Sequence, residues 1–338
     1  MTKAIRLGLV GCGWAASEIV RASATLPALK IVTAYDADAA RSTALAEKAG
    51  ARVAASLGAL LADPGIDTVY VGIPHNLLAP TVEAALNAGK HVLAEKPLAL
   101  DVATARRLGA LADSKHLKLA VFFELRRAGT VERARELVQG GAIGTPRFVR
   151  LRTLIDKRRN YYGEPGAPNW RASLAQAGGG VLLMNSIHQL DSLRSVTGLD
   201  YTRAAGAIAT FTAKAEVEDT VSATLTLSNG GLLALAANAH SPGADDEETI
   251  EIDGTLGRLN IPDPFGTAPL RLYSIADKAW RDIPVDRPDS HFRMLDSFAR
   301  AILEDSPVPA SAADAAASLG AVLAIYESAR TGRAVDIA

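Results

Sequence analysis

Cysteine is almost missing from this chain: 338 residues contain one, Cys12, which excludes an internal disulfide and a cysteine-ligated metal site. An excess of either charge is missing too. A net charge of −1 gives no basic surface for nucleic acid or for an anionic membrane. Aromatic residues make up 5% of the chain, too few for a base-stacking platform. No apolar run reaches the roughly 18 residues that cross a bilayer. Lys3 and Arg6 precede the apolar stretch 7–10 in the manner of a secretory leader, but that stretch is short and broken by glycine. It is expected to be the first strand of a cytoplasmic protein. No metal, nucleic-acid or membrane partner is expected.

What is present is an alternation of apolar strands and helices, long enough for two domains with ample core. The apolar run 5–10 leads into Gly11-Cys12-Gly13-Trp14-Ala15-Ala16, and a second run, 31–35, ends in Asp36, 20 residues after Ala16. This is a strand, a glycine turn, a helix, a second strand and an acid at its tip. The first glycine permits the tight turn and the second lets the backbone approach a pyrophosphate. The small Ala16 lets the helix pack closely on the strand. The helix N-terminus offers unpaired N–H groups to phosphates, and Asp36 can accept hydrogen bonds from a ribose diol. The pattern therefore predicts a dinucleotide site built from Gly11, Cys12, Gly13, Trp14, Ala15 and Asp36. A carboxylate at 36 repels a 2′-phosphate and Ala37 supplies no arginine to receive one, so NAD is expected rather than NADP; Arg41 is the one nearby cation that favours the alternative.

Strands at 66–73, 91–94 and 117–122 and helices at 81–88 and 102–112 continue the rhythm of a doubly wound parallel sheet. Beyond it come a helix at 130–139, a strand at 147–155 and a loop, 156–180, rich in Tyr, Gly, Pro and Arg. Gly178-Gly179-Gly180 introduces a helix running to about Thr197. Strands follow from 204 to 283, with clean alternation in 217–227 and an Asn229-Gly230 hairpin turn. The expected fold is α/β: an N-terminal Rossmann domain over 1–122 and a C-terminal α+β domain over 123–338 with a largely antiparallel open sheet. The final helix, 313–331, can pack back on the first domain. No internal repeat is present.

The strand 91–94 delivers Glu95-Lys96-Pro97 at the carboxyl edge of the parallel sheet, where open α/β folds bind ligands. A lysine there suits stabilisation of a developing alkoxide, although a lone Glu-Lys pair reads more readily as ordinary surface. The tripeptide does not stand alone. The glycine turn, then Ala88-Gly89-Lys90-His91-Val92-Leu93-Ala94-Glu95-Lys96-Pro97-Leu98, then Gly141-Ala142-Ile143-Gly144, then Gly178-Gly179-Gly180-Val181-Leu182 with His188 and Asp191, follow one another in order along the whole chain. In this the sequence resembles the glucose–fructose oxidoreductase/inositol dehydrogenase (Gfo/Idh/MocA) family.

The resemblance implies NAD(P)-dependent oxidation or reduction of a secondary alcohol or ketone on a sugar, sugar acid or cyclitol, and a homodimer or homotetramer. It implies that Lys96 contacts cofactor and substrate and that His188 is the general acid/base, a task suited to a near-neutral pKa. Pro74, His75 and Glu95 are expected beside the cofactor. Tyr161, Trp170, Arg171, Asn185 and His188 are expected at the substrate, with Arg158, Arg159 and Tyr162 nearby. On a helix, Met184, Asn185 and Asp191 fall three or four residues from His188.

Two positions depart from the family pattern. An aspartate is common four residues before the histidine, where this chain has Met184, which cannot relay a proton. At the end of the strand 66–73 the run is Ile73-Pro74-His75-Asn76-Leu77-Leu78, with leucine where a histidine is common. The methionine leaves two alternatives open: cleavage of a glycoside by transient oxidation and elimination on tightly held NAD, and a non-catalytic NAD-binding sensor.

Overall fold

The structure, a computed structural model, describes residues 4–337 apart from 158–160, 165–166, 212–214, 245–246 and 265. The first elements are β1 (Ile5–Val10), α1 (Trp14–Ser23), β2 (Leu29–Tyr35), α2 (Ala39–Ala49), β3 (Arg52–Val53), α3 (Leu57–Ala62), β4 (Thr68–Val71), α4 (His75–Asn87), β5 (His91–Ala94), α5 (Val102–Ser114) and β6 (Leu119–Val121). Their strands form one parallel sheet in the order β3-β2-β1-β4-β5-β6. Thr68-Val69-Tyr70-Val71 is buried throughout, as a strand covered on both faces requires. The strand order reverses between β1 and β4, and the carboxyl ends of these strands border the crevice in which such sheets take ligands.

Next come α6 (Gly129–Gln139), β7 (Pro146–Leu154), β8 (Gly163–Glu164), β9 (Ala167–Pro168), α7 (Leu174–Ala177), a π-helical turn Leu182–Ser186, α8 (Ile187–Thr197), β10 (Tyr201–Ala209), β11 (Thr220–Leu227), β12 (Leu232–Asn238), β13 (Glu247–Gly254), β14 (Gly257–Ile261), β15 (Leu270–Ser274) and β16 (Ala279–Ile283). The chain closes with α9 (Ser290–Leu303), α10 (Ala312–Thr331) and β17 (Val335–Asp336). Nine strands form the second sheet, ordered β16-β15-β14-β13-β7-β12-β11-β10-β17 and antiparallel except where β7 meets β12. Alternation sets its faces: Val221, Ala223, Leu225 and Leu227 are buried, while Ser222 and Thr224 are exposed. Among the described residues no helix is long and apolar enough to cross a membrane.

The chain divides into two compact units, Met1–Glu124 with Asp289–Ala316, and Leu125–Pro288 with Ala317–Ala338. This differs from a single division at 122: the segment containing α9 groups with the Rossmann unit. There α9 contacts α1 and buries Met294, Leu295 and Phe298. The Ala310 carbonyl also accepts the Val121 N–H of β6. The loop expected over 156–180 contains the β8–β9 hairpin, a 3-10 turn at Trp170–Ala172 and α7.

Candidate functional site

In the first unit the chain leaves β1 through Gly11, whose φ is +89°. A Cβ on Gly11 would lie 2.1 Å from the Gly72 carbonyl oxygen, so only glycine makes this turn. At Gly13 an added Cβ would meet nothing within 4 Å. Gly13 precedes α1 and makes no side-chain cap bond to the first N–H groups of that helix. Trp14 is exposed, Ala15 is half-buried, and Ala16 is fully buried, which brings the helix close.

Asp36 ties this turn to the tip of β2. Its Oδ2 accepts the Cys12 N–H at 2.7 Å and its Oδ1 accepts the Asp38 N–H at 2.9 Å. Each oxygen keeps a further lone pair for a ribose hydroxyl. Cys12 is buried, and burial together with the neighbouring Asp36 pushes its thiol up to about 12. Such a thiol is an inert space-filler. Asp38 caps α2 through the N–H groups of Ala40 and Arg41, and the Arg41 side chain pairs with the same carboxylate. The residues thus suit a dinucleotide: a glycine turn, open space that a side chain would fill, helix N–H groups and an acid at the second strand.

Glu95 and Lys96 follow β5. The Glu95 carboxylate accepts the Tyr70 hydroxyl at 2.8 Å, and burial raises its pKa while Lys96 and that hydrogen bond act against the rise. Gly72 gives the tyrosine its place, since a Cβ there would meet the Tyr70 ring at 2.7 Å. Lys96 is half-buried. Lys90 of the same sequence block is structural, its Nζ donating to the carbonyls of Asp63 and Ile66. Pro74 directly precedes α4, and buried His75 is its first residue. A start after Pro80 is what the sequence suggests, because proline lacks the N–H an inner turn needs; the helix nevertheless begins ahead of Pro80 and carries it inside.

In the second unit the glycine run exists because other groups press against it. A Cβ on Gly179 would lie 2.1 Å from the Tyr326 hydroxyl, and one on Gly180 would lie 1.7 Å from the Glu218 carbonyl. Buried Glu218 holds the helix start. Its Oε2 accepts the Gly180 N–H at 2.6 Å, its Oε1 accepts the Leu182 N–H at 3.0 Å, and its carbonyl accepts the Val181 N–H at 3.1 Å. The Tyr326 hydroxyl donates to Oε1 at 2.9 Å. Sequence reading missed Glu218 and Tyr326; the available signal was an acid pair, Glu218-Asp219, just before the alternating strand β11.

From 181 to 193 every residue is buried except Asn185 and His188, which are three apart and half-buried. The other expected neighbours point elsewhere. Asp191 is fully buried, salt-bridged to Arg126 at 2.5 and 2.7 Å and accepting the Ser318 hydroxyl. Met184 belongs to an apolar cluster with Tyr162, Ala172, Ala177 and Val217, against which Tyr161 and Trp170 pack. The Tyr161 hydroxyl donates to Met184 Sδ at 3.6 Å. The Arg171 guanidinium lies 5.1 Å from the Tyr161 ring centre and 4.6 Å from that of Trp170. Tyr161, Trp170 and Arg171 are therefore brought together; Arg158, Arg159 and Asn160 lie outside the described residues. Among the described residues no cluster of His, Cys, Asp and Glu is arranged to hold a metal ion.

Residues 5–123 match the GFO/IDH/MocA oxidoreductase family, NAD-binding Rossmann fold, and residues 131–260 match the GFO/IDH/MocA C-terminal domain. A 1,5-anhydro-D-fructose reductase of Ensifer adhaerens is 30% identical over 98% of each chain. A D-xylose 1-dehydrogenase (NADP(+)) of Haloferax volcanii is 28% identical over 89% of this chain and 90% of its own. Among solved structures, an oxidoreductase domain protein of Kribbella flavida superposes with a TM-score of 0.92 at 25% identity, covering 100% of both chains. GenD2 from gentamicin A biosynthesis, in complex with NAD, superposes with a TM-score of 0.86 at 26% identity, covering 100% of this chain and 97% of its own.

Proposed function

The chain belongs to the GFO/IDH/MocA family of NAD-binding oxidoreductases, and on that premise we propose that it interconverts a secondary alcohol and a ketone on a sugar, sugar acid or cyclitol. Bound NAD supplies the hydride acceptor for the carbinol carbon. Asp36 receives the ribose hydroxyls, the N-terminus of α1 receives the pyrophosphate, and Pro74, His75 and Glu95 border the nicotinamide half. Lys96 stabilises the substrate oxygen as negative charge builds on it. His188 takes the hydroxyl proton in oxidation, directly or through a water, and returns it in reduction. Asn185 and the Tyr161–Trp170–Arg171 group hold the ring: aromatic faces lie against its carbons and polar heads meet its hydroxyls.

One observation carries the reading on the substrate side. In a helical run that is otherwise buried, the two accessible positions are Asn185 and His188, a hydrogen-bonding amide and a proton carrier. Met184 packs among apolar groups instead, so no carboxylate assists from that position. The use of NAD rather than NADP is supported by Asp36 and by Arg41, which is engaged with Asp38. A homodimer or homotetramer is supported by Phe148 and Leu232, exposed side by side on β7 and β12; sedimentation measures it.

The test is a panel of polyols, sugar acids, D-xylose and 1,5-anhydro-D-fructose, followed by nicotinamide absorbance with NAD and NADP in parallel. At least one compound is expected to be turned over faster with NAD. Lys96→Ala is expected to keep NAD binding and to lose turnover by about 10²-fold or more. A Lys96→Ala protein as active as the parent, or a glycoside that releases its aglycone without net NADH, would overturn the dehydrogenase reading.

A further inference from the structure

We propose that Glu218 is a positioning residue for His188, acting from the start of the helical segment and with Tyr326 as its support. The inference rests on the reading of His188 as the proton carrier. An α-helix begins with N–H groups that have no partner inside the helix, and leaving them buried and unpaired is costly. Here one residue, 36 positions beyond Leu182 in sequence, satisfies three successive ones: Gly180 and Leu182 through its carboxylate and Val181 through its carbonyl. Glu218 is 5% exposed, and Tyr326 donates to the oxygen that Leu182 uses. Glycines at 179 and 180 keep both groups within reach, because a Cβ at either position would collide with them.

The clamp matters because of the turn beside it. Leu182–Ser186 is a π turn, which accommodates one residue more than an α turn, and His188 is the second residue of α8 beyond it. A π turn that relaxes to α geometry rotates everything after it by one residue, about 100°. Asn185 and His188 are the accessible positions of this run only while the turn keeps its register. Fixing the first three N–H groups fixes where the turn starts, and so the direction in which the imidazole faces. The carboxylate is needed rather than an amide, since a glutamine at 218 would turn an NH₂ donor toward an N–H donor.

The test uses the full chain labelled with ¹³C-histidine, in which the His188 signal is identified by its loss in His188→Asn. In Glu218→Gln the His188 ring signal is expected to shift or split while the other histidine signals stay in place. Turnover of the best compound from the panel is expected to fall roughly ten- to a hundred-fold, with the KM for NAD unchanged within about two-fold. Tyr326→Phe removes one donor and keeps the carboxylate, so it is expected to move the same signal less; it decides the matter alone if Glu218→Gln does not fold. A His188 signal that superimposes on the parent's in every folded variant overturns the proposal, as does an NAD KM that rises in step with the loss of turnover. Failure of the underlying reading looks different: His188→Asn would then retain turnover, whatever Glu218→Gln does to the spectrum.

Discussion

At the residue scale the two glycines of the β1–α1 turn have different reasons to be glycine, and substitution separates them. Gly11 combines a positive φ with a carbonyl 2.1 Å from where its Cβ would be. Gly11→Ala is therefore expected to cost at least about 2 kcal/mol of stability, seen as a lower Tm, with NAD affinity lost alongside. Gly13 has open space beside it, so Gly13→Ala is expected to leave Tm nearly unchanged and to weaken NAD binding sharply, because the new methyl enters the space proposed for the phosphates. Equal effects of the two substitutions on Tm would refute this distinction. The spacing of Gly11, Gly13 and Asp36, on which the proposed cofactor role rests, is legible in sequence. That Asp36 also accepts the Cys12 N–H was not legible, because it depends on the distance between two strand ends.

At the element scale, α9 illustrates how a helix is tied down by the residue that caps it. Asp289 accepts the N–H groups of His291 and Phe292, so it caps the helix, and it also pairs with Arg21 of α1. Burial alone would raise its pKa, but the bond to Arg21 and the two N–H groups hold it below the ordinary 3.8. A carboxyl whose folded pKa is depressed stabilises the fold above its unfolded pKa, and that contribution is lost as pH falls through the folded value. Asn caps a helix as well as Asp does, so Asp289→Asn isolates the charge. It is expected to lower stability at pH 7 by less than about 1 kcal/mol, since both partners are partly exposed. In thermal melts the gap to the parent should close below about pH 4; a gap that widens on acidification would contradict the assignment. Most elements could be read from period and punctuation: 102–112 falls on α5, 81–87 falls on α4, and the strand expected over 217–227 is found at Thr220–Leu227. The π turn could not, since nearly every side chain from 181 to 193 is buried, and the run offers no apolar stripe whose phase an extra residue would shift. Neither could the start of α4, which proline obscures.

At the scale of the whole molecule, the Rossmann unit is discontinuous in sequence: Met1–Glu124 is completed by Asp289–Ala316. No element is expected over 290–303 from sequence, and an apolar stripe there would not show which surface it covers; this is why a boundary at 122 reads as natural. The stripe buries Met294, Leu295 and Phe298 within this unit, and each such side chain is worth about 1.5–3 kcal/mol. Their sum approaches the roughly 5–15 kcal/mol by which whole domains are stable. The edge strand β6 would also lose the Ala310 carbonyl that accepts its Val121 N–H. A fragment of residues 1–124 is therefore expected to melt without a cooperative transition and to show no stabilisation by NAD. The same fragment joined through a glycine-serine linker to 289–316 is expected to melt cooperatively, with a Tm that rises with NAD concentration because ligand binds only the folded form. If 1–124 alone melted as sharply and gained as much from NAD, the returning segment would be an ornament of the first unit; the burial of its three large side chains argues that it is part of the core.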